Sequence, residues 1–351
     1  MKTQMPIFCA FPGIKACLAL REQVRLYAKM KQSRCYMVEA EEYVSDQIVL
    51  RDGWVALKAL GERLTGKQEN NGIYFASGDT LIRRIEEPDR LRLEENIDTL
   101  NKFASQAEVP VLFGLIPSAA SVWHDRLPAG APTADEQVWI EKITGRMEIP
   151  AIDLSAALRR HSQEAIYYRT DHHWTSLGAF YGANAILKSL GMEELELNRY
   201  TPRAVSDSFR GTNHSSAGAW WTEPDTITAY VPEEGKTVIS NFTGREEPGR
   251  LYVPEQLEVK NKYAYFLGGN QPLCVIRSQS GGPKILVIRD SYSDCLAPFL
   301  TERFGEVHLF DLRYNRLSVL EYVREQGIDT VLVLYSFETF TGVPIVIRSA
   351  S

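Results

Sequence analysis

Two stretches of the chain carry residue types that can do chemistry together. Asp171-His172-His173-Trp174 sets a carboxylate two positions before an imidazole, and Asp290-Ser291 sets a hydroxyl at the end of the apolar run Lys284-Ile285-Leu286-Val287-Ile288. A serine hydroxyl is a weak nucleophile until a base takes its proton. The base in turn needs a carboxylate to fix its tautomer and to steady the imidazolium that forms. Ser291 is the candidate nucleophile, His173 the base and Asp171 the orienter. If Asp171–Trp174 is extended, side chains two apart share a face, so Asp171 and His173 lie together and His172 takes the opposite side.

Other chemistry fits the same residues. An Asp-His-His run is also a pattern for metal ligands, which Asp290 and Asp294 could extend with oxygen donors, giving a metal-dependent phosphoesterase. The second N-terminal cluster of Asp residues that such enzymes use is missing, and the serine reading calls for neither a metal nor a cofactor. A third reading is a non-catalytic glycan-binding or scaffold protein, because fold does not fix function. The blandest reading has the two histidines and Trp174 packing a helix entrance while Asp290 or Ser291 caps a helix.

The flanking pattern says which elements must hold these residues. After Trp174, Leu177, Phe180, Tyr181 and Leu187 recur at helical spacing, with Gly191 placed to end the helix. After Ser291, a helical stretch runs through Leu296, Phe299 and Leu300. Pro298 requires it to start near Asp294 or to kink, with Ser293 or Asp294 as its cap. Ser291 then sits between the C-terminal end of a buried strand and a helix N-terminus, where free N–H groups face an oxyanion.

Further upstream, Gly72–Ile82 reads as a hairpin around Ser77-Gly78-Asp79 and Leu91–Gln106 as a helix feeding the strand Val109–Ile116. A helix is expected around Glu136–Thr144 and a short strand over Ile149–Leu154. Val307–Phe310 and Thr330–Leu334 are further apolar runs without alternation, the mark of parallel strands covered on both faces. This strand-helix alternation predicts an α/β fold with a doubly wound, mostly parallel sheet. Residues 197–282 change to short β-like pieces, including Ile227–Val231 and Thr237–Ile239, and read as a β-rich insertion.

The 351 residues, 44% hydrophobic and 10% aromatic, suffice for a sizeable core. A formal net charge of −6 argues against nucleic acid as a partner, since that grip rests on clustered Lys and Arg. Five cysteines, Cys9, Cys17, Cys35, Cys274 and Cys295, are scattered and encode neither a disulfide framework nor a zinc site. No apolar run approaches the roughly 20 residues that span a bilayer. Residues 1–37 are basic and read as a leader, either poorly ordered or a degenerate signal or anchor region. Residues 38–351 then form a single domain, largely helix-like from Val38 to Leu64.

At Asp171–Trp174 and the Asp290-Ser291 turn the chain resembles the DHHW protein family, relatives of the alginate O-acetyltransferase-type SGNH hydrolases. Other segments resemble it in the expected order: Asn71-Gly72-Ile73-Tyr74, Pro117-Ser118-Ala119, Phe209-Arg210-Gly211-Thr212, Phe266-Leu267-Gly268-Gly269-Asn270 and Asp311-Leu312-Arg313-Tyr314. The resemblance implies a flavodoxin-like three-layer fold of permuted SGNH type, with the Asp/His block ahead of the serine block. It maps the triad to Ser291, His173 and Asp171. It further implies a serine esterase or O-acetyltransferase that works through an acyl-serine on acetylated carbohydrate or exported polysaccharide. A membrane acyl-donor protein would be the partner, and the setting extracytoplasmic or at the cell surface. Asn270, Arg313, Tyr314, Ser336, His172 and Trp174 are the candidates for oxyanion or substrate binding. Arg289 stands where the family's nucleophile block has glycine.

Overall fold

The computed structural model describes residues 51–241 and 245–348. The chain divides into two compact units, Met1–Trp54 and Val55–Ser351. Of the first, only the start of the helix Arg51–Leu64 is described. The expected leader, the helical pattern over 38–50 and Cys9, Cys17 and Cys35 lie outside the described residues.

The second unit opens with a three-stranded antiparallel sheet, β1 (Glu69–Asn70), β2 (Ile73–Ala76) and β3 (Thr80–Arg83). The expected hairpin joins β2 to β3, and Gly78 and Asp79 take the positive φ that its tight turn demands. The helix Arg90–Gln106 starts at Asp89, whose carboxylate accepts the Leu91 and Arg92 N–H groups.

The remaining strands follow in chain order as β4 (Val111–Ile116), β5 (Ala151–Ile152), β6 (Arg203–Phe209), β7 (Asp225–Ala229), β8 (Thr237–Asn241), β9 (Glu247–Gly249), β10 (Leu273–Arg277), β11 (Lys284–Arg289), β12 (Glu306–Phe310) and β13 (Thr330–Ser336). Eight of them form one sheet in the order β5-β4-β13-β11-β12-β10-β8-β9. The first five are mutually parallel. The β12/β10, β10/β8 and β8/β9 pairs are antiparallel. The sheet is therefore mixed, where the apolar runs predicted a mostly parallel one. Those runs belong to β4, β11, β12 and β13, the covered centre. The antiparallel strands come from residues 197–282, read from sequence as an insertion. β8, β9 and β10 extend the main sheet, and only β6 and β7 pair apart from it.

Two consequences position the site. Parallel strands β4, β11 and β13 end at one edge, where Ser336 closes β13 and Ser118 and Ser291 lie just past the ends of β4 and β11. The helix Ser176–Ser189 packs against the helix Ser293–Leu300, with Phe180 and Phe299 edge-to-face at 5.7 Å. Each helix is preceded by one of the two motifs, and pairing the helices brings the motifs together.

Candidate active site

The loop before Ser176 is not an extended strand. Tyr167 and Trp174 face each other across an isolated antiparallel bridge, so the segment between them closes into a tight loop. Asp171 bends it further, because its Oδ1 accepts the His173 backbone N–H at 3.0 Å in a local turn of the kind Asp favours. Asp225 braces the loop from outside, taking the Arg169 N–H at 3.0 Å and the Thr170 N–H at 2.8 Å. The expected opposition of His172 to His173 is thereby overturned. The two rings are neighbours, 3.9 Å apart, because the chain turns where alternation was assumed.

His173 nevertheless is the residue that links both partners. Its Nδ1 lies 2.5 Å from Asp171 Oδ1 and its Nε2 lies 2.7 Å from Ser291 Oγ. With Asp171 ionised, Nδ1 carries the proton and Nε2 is left to accept from the serine hydroxyl. Burial pushes the Asp171 carboxyl up, but the electrostatic pull of the neighbouring His172 and His173 rings and the hydrogen bonds from His173 and Thr212 outweigh it. Together they hold it well below the usual carboxylate range. His172 is pushed down to about 3 by desolvation and by its neighbour His173, so it stays neutral. Its Nδ1 is 2.7 Å from Thr212 Oγ1.

The second carboxylate oxygen is held by the Gly211-Thr212 turn. Oδ2 accepts the Thr212 N–H at 2.7 Å and the Thr212 hydroxyl at 3.1 Å. A Cβ on Gly211 would fall 2.2 Å from both Cβ and Oδ2 of Asp171, so only glycine allows the approach.

Ser291 is half-buried, two residues past the end of β11. The preceding Asp290 fastens its turn. Oδ1 takes the Tyr292 N–H at 3.1 Å, while Oδ2 takes the Ser336 N–H at 2.9 Å and the Ser336 hydroxyl at 2.6 Å. The helix begins at Ser293 with Tyr292 as its N-cap and no side-chain cap, so neither Ser293 nor Asp294 caps it as expected. Both lie inside the helix, buried. Among the described residues the Ser291 N–H donates no backbone hydrogen bond.

Arg289, the departure from glycine, is fully buried. It pairs with Asp294 at 2.9 Å and donates to Asn270 Oδ1 at 3.1 Å and to the Asp290 carbonyl at 3.3 Å. Burial pushes the Asp294 carboxyl up to about 6 against the pull of Arg289.

The other expected site residues fall elsewhere. Ser336 holds Asp290 and caps the helix Phe337–Gly342 through the Thr339 N–H. Arg313 is bidentate to Asp311, at 2.9 and 2.7 Å, with Tyr314 beside its guanidinium. Asn270 is exposed and turned to Arg289 through its carbonyl oxygen. Trp174 is fully buried, which removes it from substrate contact. Two residues that the motifs did not flag complete the site. Tyr292 bonds to the His loop through its carbonyl and hydroxyl, and Tyr263 stacks on His173. Gly211-Thr212 was visible only as a family-like segment, and Tyr263 has no local signature.

As a metal site the Asp171-His172-His173 cluster has the right proximity, with one potential ligand atom from each within 4.8 Å of the others. The hydrogen bonding fits a metal poorly. Both Asp171 oxygens are already shared between His173 and Thr212. Asp290 and Asp294, the further donors expected, are held by Ser336 and Arg289.

Fold and site together define an α/β protein with a hydrogen-bonded Ser-His-Asp constellation at the edge of its parallel strands. The resemblance read from the motifs stands: residues 145–310 match the family model described as DHHW protein. A solved DHHW family protein from Eubacterium siraeum superposes with a TM-score of 0.70 at 24% identity, covering 80% of this chain and 98% of that one. Bacillus cereus PatB1, solved with a sulfonyl adduct, superposes with a TM-score of 0.65 at 19% identity over 79% of this chain and 97% of its own. No curated protein matches the chain. Among the described residues no helix is long and apolar enough to cross a membrane.

Proposed function

We propose that the protein is a serine esterase or O-acetyltransferase of SGNH type, with Ser291 as nucleophile, His173 as general base and acid, and Asp171 as orienter. The observation that carries this reading is the unbroken chain Asp171 Oδ1 to His173 Nδ1 at 2.5 Å and His173 Nε2 to Ser291 Oγ at 2.7 Å. His173 takes the hydroxyl proton as Oγ bonds to the acyl carbon, and the carbonyl electron pair moves onto oxygen. The unengaged Ser291 N–H is the donor nearest in sequence for that oxyanion. Collapse of the tetrahedral species breaks the bond to the leaving alkoxide, which leaves as the alcohol with the proton from His173. An acyl-serine remains, and water or a sugar hydroxyl, deprotonated by His173, releases it.

The substrate class, acetylated carbohydrate or exported polysaccharide, the membrane acyl-donor partner and an extracytoplasmic setting follow from the family resemblance and belong to the same proposal. Acetyl-ester turnover by the wild type, Ser291→Ala and His173→Ala tests it. Each variant should lose about a thousandfold or more in kcat; full activity in either rejects the triad. Because PatB1 has been solved with a sulfonyl adduct, a sulfonyl fluoride is the second probe. Mass should be gained at Ser291 and not in Ser291→Ala. Saccharide binding without turnover, indifferent to Ser291, would instead support the glycan-binding reading.

A further inference from the structure

Tyr263, on the short 3₁₀ turn Lys262–Tyr265, touches base and nucleophile at once. Its ring lies flat on the His173 imidazole, with centroids 3.9 Å apart and planes 11° from parallel. Its hydroxyl donates to the Ser291 carbonyl at 3.0 Å and lies 3.3 Å from Cys295 Sγ. The same carbonyl accepts the Asp294 N–H at 3.1 Å, so the backbone of the nucleophile is held from two sides.

We propose that Tyr263 is the positioning residue that sets His173 and Ser291 in register, an inference that rests on the triad reading above. Two physical effects act through one side chain. The stacked face confines the imidazole to the plane in which Nε2 meets Ser291 Oγ, and it favours the imidazolium formed on proton transfer, as an aromatic face does for a cation. The hydroxyl fixes the Ser291 carbonyl and with it the direction of the Cα–Cβ bond that carries Oγ. Burial raises the phenol well above its ordinary value, so the group remains a donor across the working pH range.

The experiment uses the full chain with 4-nitrophenyl acetate, comparing wild type, Tyr263→Phe, Tyr263→Leu and Ser291→Ala by kcat, KM, pH profile and thermal melting. Tyr263→Phe keeps the stack and loses one hydrogen bond. Its kcat should fall about tenfold with KM and the pH midpoint unchanged. Tyr263→Leu loses both effects. Its kcat should fall about a hundredfold, and the acid midpoint of kcat/KM should move down as the imidazolium loses its aromatic face. Full activity in both Tyr263 variants overturns the inference. So does an equal loss in both that tracks the folded fraction at an unmoved midpoint. Turnover that survives Ser291→Ala overturns the function proposed above instead, so the two failures are told apart.

Discussion

The indole Nε1–H of Trp174 donates to the Tyr292 carbonyl at 2.9 Å, and the Tyr292 hydroxyl donates back to the carbonyl of His172. These reciprocal bonds tie the His172-His173 loop to the Ser291 turn across 118 residues of chain. Both partners are buried. Trp174 thus acts as a buried brace behind the Ser-His-Asp constellation.

Trp174→Phe removes the indole donor and leaves the Tyr292 carbonyl buried without it. Stability should fall by about 1–3 kcal/mol, read by denaturant unfolding, with kcat falling more than KM rises. Gly182→Ala attacks the same brace from the other side, since its Cβ would stand 2.7 Å from the Trp174 ring. It should cost about 1–3 kcal/mol through overpacking. A Gly182→Ala protein as stable and active as wild type would show that the indole can move freely.

Gly211→Ala should separate geometry from chemistry, because every triad side chain is kept. The new methyl would collide with Asp171 at 2.2 Å, turning the carboxylate away from His173 Nδ1. A misplacement of this kind costs about a hundredfold in kcat. The check is acetyl-ester kinetics alongside a thermal melt. An unaltered kcat would mean that the Gly211-Thr212 cradle does not hold Asp171 in the working state.

Arg289→Met tests the buried pair under the Ser291 turn. Removing one partner leaves Asp294 without its counter-charge in a fully buried place, which costs about 3–5 kcal/mol. Arg289→Met/Asp294→Asn should recover much of that loss, because no lone charge remains. If chemical denaturation finds the double variant no better than the single, the pair is not the source of the loss.

Glu136 gives a pH signature distant from the triad. It is buried at 3% exposure, and burial pushes its carboxyl up to about 7 despite the Ser118 N–H and hydroxyl that donate to it. A folded pKa above the unfolded one means that the folded state binds the extra proton. This contribution is fully present below about pH 4.5 and is lost as pH rises through about 7. Between those limits Glu136→Gln should gain on the wild type by roughly 2–3 kcal/mol in relative stability. Unfolding curves at several pH values provide the check, and parallel curves for the two proteins would refute it.

Much of the α/β core was legible because β4, β11, β12 and β13 are apolar on both faces, a pattern only covered strands sustain. The antiparallel half of the sheet was not legible. β8 and β10 are short, and nothing in Thr237–Asn241 or Leu273–Arg277 names its neighbour. Pairing is settled by which edge is open once β12 is in place. In the site, the Asp-His-His-Trp run and the Asp-Ser turn were readable because their residue types are few and their spacing local. His173 is the ring that bridges, but strand-like alternation does not place it, since Asp171 captures the His173 N–H and turns the chain.

By itself the sequence determined which side chains were available for chemistry and which strands had to be buried, because residue type and period are local properties. Tertiary structure alone decided that His173 Nε2 reaches Ser291 Oγ, that Gly211-Thr212 cradles Asp171, and that Tyr263 lies across His173. Those contacts join segments 41 to 118 residues apart. The first of them depends on packing the helices Ser176–Ser189 and Ser293–Leu300 against each other, which no local pattern encodes.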